Sequence, residues 1–227
     1  MKKLVFLTGT RADFGKLKSL IQITQNSPEF EVHIFATGMH LNMYYGYTID
    51  EIYKAGFKNI YEFKNHEKID RMDLSLANTI VGFSEFIKTI HPDLIIVHGD
   101  RVEALAGAIS GSINNFLVAH IEGGEISGTI DEIIRHSVSK MSHVHLVANK
   151  EAENRLIQLG EYRKSIHILG SPDLDLMDLK NLPKIEIVKK YYDIDFNNFS
   201  IAMFHPVTTE IDHIPIYVKN FSEALVE

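Results

Sequence analysis

The stretch "DLIIVHGDRVEALAGAISGSINNFLVAHI", residues 93–121, decides the fold class. It opens and closes with short runs that are apolar throughout, DLIIV and FLVA. Such runs form strands covered on both faces, not strands of a half-solvated sheet. Between them, RVEALAGAISGSI (101–113) has helical spacing. Strand, helix and strand in this order make the crossover that joins parallel strands.

The alternation continues in both directions. Upstream, KLVFLTG (3–9) precedes a helix pattern at 15–26. EVHIFATG (31–38) precedes TIDEIYKAG (48–56), and an amphipathic segment runs from Asp70 to Ile90. Downstream come TIDEIIRHSVSKMS (129–142), VHLVA (144–148), KEAENRLIQLG (150–160) and SIHILG (165–170). Residues 1–172 therefore read as an α/β domain, a doubly wound parallel sheet of Rossmann-like type. Residues 171–198 are polar and carry two prolines, so 173–198 reads as a linker with one helix at about 185–192. FSIAMFHP (199–206) reads as a fresh strand, and 215–227 as a helix. One strand and one helix cannot bury a core. Residues 199–227 are thus expected to begin a second, truncated domain, with the chain a fragment; the alternative is a pair docked on the first domain.

The 227 residues are 45% hydrophobic and 23% charged, the balance of an ordinary globular protein, with a net charge of -7. That acidity argues against nucleic acid or an anionic membrane as a partner. Cysteine is absent, which excludes a disulfide framework, a thiolate metal site and a catalytic thiol. No run approaches the roughly 18 apolar residues of a membrane span. The apolar run at the start is too short for a signal core. A cytoplasmic location is expected.

Polar residues gather where the strands end: GTRADFGK after the first, HGDR after DLIIV, HIEGGE after FLVA and GSPD after IHIL. In a parallel sheet these converge on one edge, where ligands bind. In GTRADFGK, Gly9 and Arg11 could receive an anion at a helix start; equally, the segment could be a plain turn with Asp13 as helix cap. Asp100 could be functional or cap the next helix, with Arg101 facing solvent. His98 reads as an interior or edge histidine. AHIEGGEISGTIDE (119–132) is the richest stretch. Gly123 and Gly124 would let the backbone approach a ligand, and Glu122 ends a strand. Thr129 and Glu132 fit a capping box. Asp131 with Arg135, and Glu132 with His136, have helix-pair spacing; Glu125 could be solvated. The remaining carboxylates, Asp100, Glu122 and Asp131, are placed to push one another's pKa values apart and so to serve as acid and base. Histidine pairs at 143/145 and 120 with Glu122 could suggest a metal, but further ligands cannot be assigned, and no metal is expected.

GTRADFGKL, HPDLIIVHGDRVEALAGA, HIEGGEISGTIDEIIRHSVSKMSHVH and HPVTTE, in this order, resemble the hydrolysing UDP-N-acetylglucosamine 2-epimerases of sialic-acid and related nonulosonate pathways. The resemblance covers nearly the whole chain. It implies two Rossmann-like domains of glycosyltransferase-B type with a nucleotide sugar between them, and no redox cofactor. It implies that Asp100, Glu122 and Asp131 are the catalytic acids, and that His205 stabilises the departing UDP. Arg11 would contact the nucleotide and Arg101 the diphosphate side, with Gly9, His120 and Gly123 at the substrate. Gly15 stands where the family often has serine, which removes a side-chain contact. The implied reaction eliminates UDP to a 2-acetamidoglycal and then adds water, giving N-acetylmannosamine. Other readings are a 2,4-diacetamido-6-deoxy substrate, a non-catalytic nucleotide-sugar module, or a glycosyltransferase. A homo-oligomer, dimer or tetramer, is expected, with the 70–90 segment either its face or core. The chain alone is expected to be inactive.

Overall fold

The structure, a computed structural model, describes residues 1–65, 71–177, 182–206 and 210–226. It divides into two compact units, Met1–Leu182 and Pro183–Glu227.

The first unit carries seven strands: β1 (Lys2–Thr8), β2 (Phe30–Ala36), β3 (Ile60–Glu62), β4 (Leu94–His98), β5 (Val118–Ile121), β6 (Val144–Val147) and β7 (Ile166–Ile168). They form one sheet in the order β3-β2-β1-β4-β5-β6-β7, and every pairing is parallel. The helices between them are α1 (Arg11–Asn26), α2 (Ile49–Lys54), α3 (Met72–Ile90), α4 (Val102–Ile113), α5 (Ile130–Lys140) and α6 (Lys150–Gln158), and the short α7 (Asp173–Leu176) follows β7. The expected doubly wound α/β fold is the one formed.

Side-chain alternation along the strands explains the layers. Leu4 and Phe6 of β1, with Val32 and Ile34 of β2, pack beneath Phe14, Leu17 and Ile21 of α1 and Ile49 and Ile52 of α2. Val5 and Leu7 turn to the other face, against Phe83, Phe86 and Ile87 of α3, Ala104 and Ala108 of α4, and Ile134 and Val138 of α5. The apolar stripe of α3 is therefore core. Gly111 lets α4 lie close on the sheet, since a Cβ there would stand 2.5 Å from Val118 Cγ2. Asp70 of the 70–90 segment lies outside the described residues.

The strand order reverses between β1 and β4. Chain leaving β1 winds outward through β2 and β3, then returns to add β4 through β7 on the opposite side. A crevice opens at such a switch point, beyond the carboxyl ends of the strands. Strand β3 and the tight turns Gly38–Leu41 and Met43–Tyr45 were not expected from the sequence; no apolar run marks them.

The second unit holds α8 (Ile185–Tyr191) and α9 (Ile214–Val226), close to the helices expected there. The strand expected over 199–206 does not form, and among the described residues of this unit there is no strand. A strand needs a laddered neighbour, and an apolar pattern alone supplies none.

Candidate active site

Three neighbouring strand ends build a cleft of about 430 Å³ in the first unit, within the range of small-molecule sites. Beyond β1, Thr10 and the start of α1 contribute, the latter with Ala12, Asp13 and Lys16; the end of β4 and its loop contribute His98 to Arg101, and the loop after β5 contributes Glu122 and Glu125. Met39 and Arg135 complete the lining. Charges of both signs face each other across it.

Glu122 is its centre. β5 ends at Ile121, and Glu122 turns left-handed at φ 58°, with its N–H donating to Leu146 O at 2.9 Å. This brings its carboxylate back over the sheet edge. Oε2 accepts from Lys16 Nζ at 2.6 Å and from His98 Nε2 at 3.0 Å, and Oε1 accepts from Ser171 Oγ at 2.7 Å. Burial pushes the Glu122 pKa up, but the bonds from His98, Lys16 and Ser171 outweigh it and bring the pKa down to about 2. Lys16 bridges on to Asp173 Oδ2 at 3.1 Å. Burial would lower its pKa, but Glu122 and Asp173 hold it above the ordinary value.

Asp100 lines the same cleft, paired with Arg135 of α5. It caps nothing: Arg101 occupies the cap position of α4 and makes no capping bond, so the start of α4 next to the cleft carries no N-cap side-chain bond. Arg101 lies 3.6 Å from Glu103, whose carboxylate is buried against Gly9 and Gly38. A Cβ on Gly9 would stand 2.9 Å from Glu103 Cδ, so Gly9 makes room for a carboxylate of the protein rather than for a ligand.

Other expected site residues lie elsewhere. Asp131 is exposed on the first turn of α5 and does not line the cleft; Thr129 caps that helix and donates to Asp131 Oδ2 at 3.1 Å. Its expected partner Arg135 is committed to Asp100 instead. Thus the acids expected to meet at one pocket mouth do so only for Asp100 and Glu122. Glu132 accepts from Ser127 and Gly128 N–H at 2.9 and 3.0 Å, a loop clamp in place of the expected capping box. Arg11 is exposed and turned toward Glu51 at 3.6 Å, because its position at the start of α1 points it away from the cleft. His120 is fully buried beneath the cleft: Nε2 donates to Gly99 O at 2.8 Å and Nδ1 meets Ser139 Oγ at 3.0 Å. Burial pushes its pKa down to about 3, so it is a neutral prop and touches no ligand space. Gly123 is packed on that prop, with a Cβ falling 2.8 Å from His120 Nδ1. His145 is likewise buried, 3.3 Å from Glu161. His205 belongs to the second unit, where it is exposed.

Of the groups that hold Glu122, sequence reasoning missed His98, Lys16 and Ser171. Asp13 is not the cap of α1 but its third residue: Thr10 caps, and Asp13 Oδ2 closes the box on Thr10 N–H at 3.1 Å. Its Oδ1 then stands 3.5 Å from His98 Nδ1. Lys16, one turn further along α1, was legible only as part of a helix.

Gly124 holds the loop itself. It sits at φ 78°, and a Cβ would fall 2.5 Å from Ala152 O, a backbone atom that cannot give way. Gly124→Ala is expected to destabilise the unit by about 2–4 kcal/mol, combining left-handed strain with overpacking. Urea denaturation of wild type and variant measures it; equal midpoints would show that the loop relaxes freely.

Residues 22–227 match the UDP-N-acetylglucosamine 2-epimerase family. The UDP-N-acetylglucosamine 2-epimerase of Neisseria meningitidis serogroup B is 50% identical over 225 residues, covering 99% of this chain and 60% of that protein. The hydrolysing UDP-N,N'-diacetylbacillosamine 2-epimerase of Legionella pneumophila is 36% identical over 230 residues, again covering 99% and 60%. The chain thus spans about 60% of the length of these curated relatives. A structure of the Methanocaldococcus jannaschii UDP-GlcNAc 2-epimerase in complex with UDP-GlcNAc and UDP superposes with a TM-score of 0.74 at 25% identity, over 85% of this chain and 53% of that one. Sheet order, strand-end chemistry and the match along 22–227 agree, and the chain belongs to the UDP-N-acetylglucosamine 2-epimerase family.

Proposed function

We propose that the full-length protein is a hydrolysing 2-epimerase of UDP-N-acetylglucosamine, releasing UDP and N-acetylmannosamine. The observation that carries this reading is the cleft at the switch point, where Asp100 and Glu122 share one wall space with Lys16, Arg101 and Arg135. Carboxylates there can move a proton, and the cations together with the uncapped start of α4 can receive a diphosphate.

The sugar's C2–H is a weak acid. Removing it needs a placed base and a stabilised leaving group on C1. Loss of the proton and of UDP leaves a double bond between C1 and C2. Water then adds at C1, and C2 is protonated from the opposite face. In the resting cleft Glu122 is a poor base, because three groups donate to its oxygens. A diphosphate competing for Lys16 removes one of them and raises its basicity, so substrate and base are matched. Asp100, tied to Arg135, is the second proton-handling group. Asp131, which lies outside the cleft, enters only by family resemblance, as does His205, the group that would meet departing UDP. The 50% identity to the Neisseria protein, against 36% to the Legionella enzyme, favours the acetamido substrate over the diacetamido one. A dimer or tetramer remains part of the proposal, as does the inactivity of residues 1–227 alone.

The test is turnover of a panel of UDP-sugars by the full-length protein in deuterated water. UDP should appear together with N-acetylmannosamine carrying one solvent deuterium at C2. Release of UDP with the original C2 hydrogen retained would sink the elimination, and release from the diacetamido substrate alone would transfer the reading to that sugar.

A further inference from the structure

Asp13 is set by the backbone before it does anything else. Its Oδ2 takes the N–H groups of Thr10 and Gly9 at 3.1 and 3.3 Å, which fixes Oδ1 toward the neighbouring strand end. There His98, the last residue of β4, presents Nδ1 at 3.5 Å; its other nitrogen meets Glu122 at 3.0 Å. Three adjacent strand ends thus each give one member of a row, carboxylate, imidazole, carboxylate. The ring is held with a carboxylate at each nitrogen, and its side chain is 9% exposed.

We propose that His98 is a positioning residue for the proposed reaction: anchored by Asp13, its ring holds Glu122 Oε2 in direction and supplies a fixed positive charge that keeps this carboxylate ionised. The inference rests on the proposed function for the reaction it serves, while the Asp13–His98 couple stands on geometry alone. Nδ1 makes no hydrogen bond, but a carboxylate at each side of the ring favours the imidazolium form. Burial acts to lower the pKa of His98, and the two carboxylates outweigh it, raising it above the ordinary value. The other charged groups around it divide evenly in their tasks. Lys16 on α1 shares Glu122 Oε2, and Asp173 holds Lys16 from outside. Arg135 is spent on Asp100, and Arg101 leans on Glu103. His120 on β5 and His40 after β2 are both driven neutral by burial, so neither competes for the proton. When a diphosphate draws Lys16 away, His98 is the cation that stays, so Glu122 gains basicity without losing its place.

Asp13→Asn separates this role from a structural one. The amide oxygen can still accept from Thr10 and Gly9, preserving the capping box, while its NH₂ faces His98 Nδ1. Two donors cannot face each other, so the ring becomes neutral, keeping Nε2–H on Glu122. In the full-length protein with ring-labelled histidine, NMR should show wild-type His98 titrating above the ordinary imidazole value. In Asp13→Asn it should titrate at least about one pH unit lower than wild type. In the substrate complex, where Lys16 is drawn to the diphosphate, the acid limb of kcat for UDP release should rise by about one pH unit, with KM within roughly threefold. His98→Gln, which can donate to Glu122 but carries no charge, should move the same limb and covers the case of a variant that does not fold. An ordinary His98 titration in wild type overturns the couple whether or not the protein turns over UDP-sugars. A shifted NMR titration with an unmoved acid limb in both variants overturns the positioning role.

Discussion

Glu122→Gln should slow UDP release by about 10²–10⁴-fold, the usual worth of a positioned acid–base group, with the Kd for UDP changed by less than about threefold. The amide has the carboxylate's shape but cannot accept the C2 proton. It also cannot accept from all of Lys16, His98 and Ser171, so one donor must turn away. Of the three cations proposed to receive the diphosphate it reaches only Lys16, whereas Arg101 and Arg135 keep their own partners, Glu103 and Asp100. Steady-state rates and calorimetric UDP binding on the full-length protein decide the matter. Wild-type turnover would remove Glu122 from the chemistry; loss of rate together with loss of UDP binding would make it a scaffold residue.

The second large effect is acid lability. His120 and His40 are buried and neutral, with pKa values pushed by burial to about 3 and about 4. His40 is wedged between Thr8 and Thr48 hydroxyls, at 2.9 and 2.8 Å. An unfolded chain protonates both near pH 6.5, and the folded chain does not until much lower. The unfolded state therefore binds more protons below pH 6.5, and stability falls as pH falls through that window. Each histidine contributes about 1.4 kcal/mol per pH unit there, so the pair removes roughly 4 kcal/mol between pH 6.5 and 5, a large part of a typical 5–15 kcal/mol. His98 has the opposite sign. Its folded pKa is raised, so its contribution is complete below the unfolded pKa, is lost only as pH rises, and does not offset the fall. Urea midpoints followed by circular dichroism from pH 7.5 to 5 should drop steeply, and His40→Gln should roughly halve the slope. A flat profile would mean that these rings are not held neutral.

Much of this was legible in the chain because periodicity reports burial. Apolar runs such as LIIV and VFL announced strands covered on both sides, and the polar residues after them marked one edge. β3, α7 and the turns after β2 were invisible because no apolar run marks them, as one marks the equally short β5, β6 and β7. The strand expected at 199–206 failed for a related reason: an apolar pattern states what wants burial, not which partner supplies it. In the site, Asp100 and Glu122 were read correctly as neighbours because both end adjacent strands. His98 was passed over because a strand-end histidine looks the same whether it is idle or clamped between Asp13 and Glu122. Asp131 and Arg135 show the opposite failure, since correct helix spacing gave a pair that Asp100 pre-empts. Side-chain choice among competing partners is a three-dimensional question.

The left-handed backbone at Glu122 sets the fold against the chemistry at a single residue. Glycine adopts φ 58° freely, and two glycines follow at once, so the bend itself gives no reason for a glutamate. Its carboxylate is what holds the side chain there: glycine would relax the bend but leave Lys16, His98 and Ser171 without the acceptor they share.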